Sequence, residues 1–136
     1  MDLFNLSGKR ALVTGSTKGI GKAIAKQFSN HGAKVVISSR KEDLCEQIKD
    51  EINNDNPESA ISIPCNINYK EQLEALVNET NNEFGGIDIL VCNAAVNPFF
   101  GSSLDIPDDA FDKILSANIK SNHWLCNLVL PQMIER

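Results

Sequence analysis

Arg10-Ala11-Leu12-Val13-Thr14-Gly15-Ser16-Thr17-Lys18-Gly19-Ile20-Gly21 is the stretch whose reading decides the fold. A short apolar run ending directly in glycine predicts a buried strand over 10–14. Gly19 and Gly21 then open a segment with Ile20, Ala23, Ile24, Gln27 and Phe28 at helical spacing, and Gly32 stands where a helix stop belongs. That spacing predicts a helix over 19–31. Strand, glycine loop and helix in this order serve a physical purpose. Glycine lets the backbone turn sharply and approach a pyrophosphate closely, while the free N–H groups and positive dipole end of the helix favour the anion. A tight turn without a ligand is the plainer alternative, and the further strand after the helix weighs against it.

Working outward, Lys34-Val35-Val36-Ile37-Ser38-Ser39 is rich in β-branched residues and predicts a second strand. A helix follows over 42–53, with Leu44, Ile48 and Ile52 every fourth position, and Asn53-Asn54-Asp55-Asn56-Pro57 is a polar turn. A third strand is expected over 60–65, a third helix over 71–84 and a fourth strand over 87–92. Pro107 and Asp108 suit the first turn of a long helix running toward Met133 and bent at Pro131. Alternating strands and helices predict an α/β fold: a Rossmann-type doubly wound parallel sheet, its N-terminal half of four strands, in one domain over 1–136. The apolar strands fit a sheet covered by helices on both faces.

Composition narrows the function classes. The chain has 136 residues, a formal charge of −5 and 42% apolar residues. That acidic balance argues against general binding to nucleic acid or to an anionic membrane. No apolar run reaches the length needed to span a bilayer, and Met1-Asp2-Leu3-Phe4-Asn5 lacks the basic start and apolar stretch of a secretory signal. Cys45, Cys65, Cys92 and Cys126 form no CxxC pair. They read as reduced, buried thiols in a cytoplasmic setting, with zinc ligation or a disulfide as the alternatives. His31 and His123 show no metal or triad pattern, and no metal is expected.

The spacing Thr14-Gly15-x-x-x-Gly19-x-Gly21 resembles the T-G-x-x-x-G-x-G fingerprint of the short-chain dehydrogenase/reductase family. Further segments look like the same family in the same order, and the resemblance covers the whole chain. Cys92-Asn93-Ala94-Ala95 resembles its N-N-A-G motif, Gly86-Ile87-Asp88-Ile89-Leu90-Val91 resembles the run leading into it, and Asn118 resembles its helix asparagine. Within the family, Asn93-Ala94-Ala95-Val96-Asn97-Pro98-Phe99-Phe100-Gly101 looks closest to the dehydrogenase/reductase member 4 type, which are NADPH-dependent carbonyl and retinal reductases.

The resemblance implies that Gly15, Ser16, Thr17, Lys18, Gly19, Ile20 and Gly21 cradle a nicotinamide cofactor. The end of the second strand speaks to which one. An acidic residue there would suit the ribose hydroxyls of NAD, and a basic one the 2′-phosphate of NADP. The strand ends Ser38-Ser39-Arg40-Lys41, with no carboxylate before Glu42. Arg40 offers a planar fork of donors, Ser39 a hydroxyl, and Lys18 a second cation in the family's fold. Taken singly, Arg40 or Lys18 reads more readily as a solvated surface charge. Together they favour NADP(H). Asn66-Ile67 stands where the family usually has Asp before an apolar residue at the adenine, and an Asn oxygen can also accept the amino proton. Asn93 and Ala94 would lie by the adenosine ribose and the central sheet, and Ala95 replaces the usual glycine.

Hydride transfer to a carbonyl needs a proton donor and support for the developing alkoxide. The family uses Ser, Tyr and Lys, with Tyr-x-x-x-Lys on one helix, plus an Asn. The sole tyrosine, Tyr69, has Leu73 four positions on and reads as a helix-start residue. Asn118 is therefore the one catalytic candidate, lying within or beside an apolar stripe of Phe111, Ile114, Leu115, Leu125, Cys126, Val129 and Met133. As a polar group there it needs partners, and a satisfied structural role is the competing reading. Asn122 and Asn127 read as structural, and Phe99 and Phe100 as core in preference to a site rim.

The resemblance thus implies the cofactor-binding part of an oxidoreductase exchanging hydride between NADP(H) and a small carbonyl or alcohol. The chain is expected to be truncated before the Ser and Tyr-x-x-x-Lys region, inactive alone, and a homodimer or homotetramer at full length. A 3-oxoacyl-carrier-protein reductase of the same family and a non-catalytic nucleotide-binding module are the alternatives.

Overall fold

The computed structural model describes residues 2–136. Four parallel strands, β1 (Arg10–Thr14), β2 (Lys34–Ser38), β3 (Ala60–Ser62) and β4 (Ile89–Val91), form one sheet in the order β3-β2-β1-β4. Helices α1 (Gly19–Asn30), α2 (Glu42–Asp55) and α3 (Lys70–Phe84) connect them. After β4 come α4 (Asp108–Leu115), a π-helical turn (Ser116–Lys120) and α5 (Ser121–Glu135). β1 pairs with β2 from Arg10↔Lys34 to Thr14↔Ser38 and with β4 from Ala11↔Ile89 to Val13↔Val91. This is the doubly wound α/β sheet that the alternation of apolar segments predicts.

Side chains alternate across a strand, so each central strand feeds two cores. Ala11, Val13, Val35 and Ile37 pack with Ala25, Cys45, Ile48 and Ile52 beneath α1 and α2. Leu12 and Val36 pack on the other face with Leu73, Leu76, Leu125 and Val129 from α3 and α5. Leu12, Ile37, Leu73 and Leu125 are wholly buried, and each such side chain contributes about 1.5–3 kcal/mol of transfer free energy. A sheet buried on both faces holds β1 and β2 as a rigid platform, with their carboxyl ends at one edge.

Several boundaries differ from the sequence reading. β3 stops at Ser62, short of the expected 60–65, because Pro64 has no N–H for a ladder. Even so, the N–H groups of Ile63 and Cys65 donate to the Ile37 and Ser39 carbonyls at 3.0 and 2.9 Å, carrying the chain along β2. β4 is also shorter than 87–92, and its residues are half-buried. Asn53-Asn54-Asp55 belongs to α2, not to a turn. Asn53 instead ties that helix to β3, donating to the Ala60 carbonyl at 2.9 Å and accepting from its N–H at 2.8 Å.

The long helix starts at Asp108 after Pro107 as expected, but its irregularity is the π turn at Ser116–Lys120. Pro131 lies inside α5. The Ser121 hydroxyl donates to the Ala117 carbonyl within the widened turn. The expected apolar stripe splits at this turn. Leu125 and Val129 are buried, whereas α4 has no buried residue, and Phe111 and Leu115 are 49% and 40% exposed. α4 packs chiefly on the π turn that continues it. Phe100 is fully exposed, contrary to its expected core position. Burial pushes the Cys65 and Cys92 thiols up to about 11, so both stay protonated at neutral pH. No helix among the described residues is long and apolar enough to cross a membrane.

Candidate functional site

The sheet order places β1 between β2 and β4, so the chain winds from β1 to β2 and β3 on one side and crosses back to β4 on the other. Ligands of open α/β sheets bind at such a switch, outside the carboxyl ends of the strands. A groove of about 500 Å³ lies there, lined by Gly15, Lys18, Gly19, Ile20, Asn93, Ala94 and Ala95. The sequence singled out all seven.

Its floor is fixed by backbone sterics. Gly15 has φ +64° and Gly19 φ +58°, a region costly for residues with a Cβ. A Cβ on Gly15 would sit 2.9 Å from the Ala94 Cα. On Gly21 it would collide with the Gly15 carbonyl and the Asn93 amide, so Gly21 serves packing of α1 on the loop. Gly19 is the opposite case, with open space where its side chain would be. α1 begins there with no side-chain cap at Lys18. An uncapped helix start, opening a groove beside a bare glycine, is chemistry that fits an anionic group.

Hydrogen bonds lock the two walls together. The Asn93 amide donates to the Thr14 and Gly15 carbonyls, each at 3.1 Å. Thr14 was not among the sequence candidates, yet its hydroxyl accepts from the N–H groups of Asn93 and Ala94 at 3.0 Å. A threonine ending a strand just before the glycine was the available signal. Ser16 is buried and turned into the fold. Its N–H donates to the Ser38 carbonyl at 3.1 Å, and its Oγ accepts from the Ser38 N–H at 2.9 Å. Thr17 is buried beside it, whereas Lys18 and Ile20 are exposed.

Ser39, Arg40, Asn66 and Ile67 form a separate rim beyond β2 and β3. Arg40 is exposed, and neither Arg40 nor Lys18 forms an ion pair among the described residues. Ser39 is half-buried and accepts from the Lys41 N–H at 3.3 Å. Asn66 spends its Oδ1 on the Asn68 N–H at 3.0 Å, leaving its Nδ2 uncommitted. Ile67 is 8% exposed, and its side chain packs in the α3/α5 core.

Asn118 is the centre of the π turn. Its Oδ1 accepts from the Val96 N–H at 2.8 Å and its Nδ2 donates to the Val96 carbonyl at 2.9 Å. The side chain pins the strand-to-loop segment after the groove wall in both directions. Asn122 supports it from the next turn, donating to the Asn118 carbonyl at 2.9 Å. Tyr69 stands at the start of α3 without a side-chain capping bond and is half-exposed, the helix-start position that its sequence context predicts.

Residues 9–136 match the family profile described as short chain dehydrogenase. The chain belongs to the short-chain dehydrogenase family. It is 43% identical over 131 residues to dehydrogenase/reductase SDR family member 4 of Homo sapiens, covering 96% of this chain and 47% of that protein. The short-chain dehydrogenase chain thus spans about half the length of the curated relatives it matches. A short-chain type dehydrogenase/reductase from Mycobacterium marinum superposes with a TM-score of 0.91 at 34% identity, over 98% of this chain and 53% of that one. A metagenomic short-chain oxidoreductase solved in complex with NADP superposes with a TM-score of 0.88 at 31% identity, over 96% of this chain and 58% of that one. The family resemblance carried by residues 15–21, 93–95 and 118 agrees with these similarities.

Proposed function

We propose that the chain is the NADP(H)-binding part of a short-chain oxidoreductase that exchanges hydride with a small carbonyl or alcohol. The observation that carries this reading is the groove at the switch point, floored by Gly15 and Gly19 and opened by an uncapped helix start. Residues 15–21 would hold the pyrophosphate, Asn93 and Ala94 the adenosine ribose with Ala95 beside them, and Asn66 and Ile67 the adenine. When bound, the nicotinamide supplies or accepts the hydride. The protein's part is to hold the dinucleotide, orient it against the carboxyl edge of the sheet, and keep residues 93–96 in place through Thr14 and Asn118.

Arg40, Lys18 and Ser39 select the phosphorylated cofactor. Two exposed cations without ion pairs among the described residues, and no carboxylate from the end of β2 until Glu42, favour a 2′-phosphate over a ribose diol. Replacing Arg40 by Ala is expected to weaken NADP+ by about tenfold, one charge-assisted interaction, and to leave NAD+ unchanged. Dissociation constants for both cofactors check this, and an equal loss for the two would sink the phosphate assignment.

The residues that would protonate the product are not among these 136, since no Tyr-x-x-x-Lys occurs. We therefore assign the proton-transfer pair to sequence outside this segment. The chain alone, given NADPH and a panel of carbonyl compounds, is expected to show no sustained turnover. Steady oxidation of NADPH, followed by absorbance, would overturn that assignment.

A further inference from the structure

The rim that meets the 2′-phosphate in the reading above has an inner side, and Cys45 occupies it. Cys45 lies in the first turns of α2 and is wholly buried, so it touches no ligand. Its Sγ is 3.4 Å from the Ser39 Oγ, and its thiol faces the Ser39 carbonyl at 3.7 Å. The Ser39 backbone is anchored independently, because the Cys65 N–H donates to its carbonyl at 2.9 Å. Among the described residues, the side chain of Ser39 is held by two groups: the Lys41 N–H, which donates to Oγ at 3.3 Å, and Cys45.

We propose that Cys45 is a positioning residue for cofactor selection, its thiol setting the direction of the Ser39 hydroxyl beneath the 2′-phosphate. The inference rests on the NADP(H) reading. A hydroxyl has one proton to give and two lone pairs to offer. The Lys41 N–H fills one lone pair. Without a phosphate, the Ser39 proton points at sulfur, a weak acceptor. With one, the proton turns to the charged oxygen, where the bond is stronger, and the thiol donates to the vacated side of Oγ. Sulfur in Cys45 serves in both arrangements because a thiol both donates and accepts. A methyl group in its place does neither, and the hydroxyl then rotates above a small void. Unphosphorylated ribose offers no charged acceptor and gains little from the same hydroxyl.

The test is a set of NADP+ and NAD+ dissociation constants for the wild-type protein and for Cys45→Ala, Cys45→Ser, Cys45→Val and Ser39→Ala. Cys45→Ala is expected to weaken NADP+ about two- to fivefold, the size of a modest hydrogen bond, with NAD+ unchanged. Cys45→Ser keeps a donor and acceptor and is expected to stay near wild type. Cys45→Val refills the volume without either and is expected to follow Ala, so packing is separated from hydrogen bonding. In a Ser39→Ala background, adding Cys45→Ala is expected to change nothing further. Equal losses for both cofactors, a Val variant with wild-type selectivity, or an additive double variant would each overturn the proposal. If Ser39→Ala leaves NADP+ binding intact while Arg40→Ala weakens it selectively, the Cys45 inference falls and the NADP(H) reading stands. If Arg40→Ala is not selective, the NADP(H) reading itself falls.

Discussion

The groove between β1 and β4 and the rim beyond β2 lie on one edge of one sheet but are made of different things. The groove is backbone: Gly15 in a left-handed conformation, Gly21 pressed on the Gly15 carbonyl, and Asn93 spending its amide on two carbonyls. The rim is side chain, with an exposed guanidinium at Arg40 and a hydroxyl at Ser39. A site built from backbone is coupled to the stability of the fold. A site built from surface side chains is not, and it can change its preference without cost to the core. The two regions therefore fail differently when altered.

Gly21→Val is the hardest test of that difference. A side chain there meets a backbone carbonyl and the Asn93 amide, neither of which can move without opening the β1–α1 junction. The expected loss is about 3 kcal/mol or more in denaturant unfolding, with NADP+ and NAD+ binding lost together. A Gly21→Val protein of wild-type stability would break the claim that the groove is part of the core. Asn93→Ala comes next. It leaves the Thr14 and Gly15 carbonyls without the amide that joins them and is expected to cost about 1–3 kcal/mol. Both cofactors should weaken by the same factor, in contrast to the selective effect of Arg40→Ala. A selective loss for NADP+ would move Asn93 from the groove to the rim.

The same contrast explains what the sequence made legible. Glycine spacing reports backbone constraints directly, because only glycine tolerates the φ of Gly15 or the space left at Gly21. The groove therefore follows from residues 10–21, and the alternation of strands and helices from the apolar segments after them, whereas the order β3-β2-β1-β4 appears only in the structure. The rim was visible as charge, as the Ser39 hydroxyl and as the Asn66-Ile67 pair of the family pattern, but the placement of the Cys45 thiol under Ser39 was not, because it depends on how α2 packs on the end of β2. Ile67 shows the reverse case. Its position beside Asn66 marks the rim, but its side chain is drawn into the core. The π turn was missed because no residue type encodes one additional residue per turn; Asn118, Ser121 and Asn122 are polar at helical spacing, and their bonds appear only in three dimensions. Phe100 was assigned to a core but is fully exposed, and the apolar stripe that includes Phe111 and Leu115 is buried only beyond the π turn.

The amino end of β1 and β4 supplies the smallest effect and a control for the comparison. Asp88 accepts from the Arg10 N–H, Nε and Nη2 at 2.9, 2.8 and 3.1 Å, and the Asp88 N–H donates to the Arg10 carbonyl at 2.8 Å. The Arg10 side-chain bonds, aided by the Arg10 N–H and by the charges of Arg10 and Arg136, hold the Asp88 carboxyl down at about 2. A carboxylate whose folded value is depressed contributes stability above its unfolded value, and loses it as the pH falls through the folded one. The window is therefore pH 4 to 2, and the pair's share, reduced for its partial exposure, is about 1 kcal/mol. Asp88→Asn should flatten the acid limb of the stability profile by that amount. It clamps the same two strands that bear the groove, at their other ends, so NADP+ and NAD+ binding at neutral pH should be unchanged. If instead both affinities fell with Asp88→Asn, strand clamping anywhere would suffice to loosen the groove, and its separate dependence on Gly15, Gly21 and Asn93 would be lost.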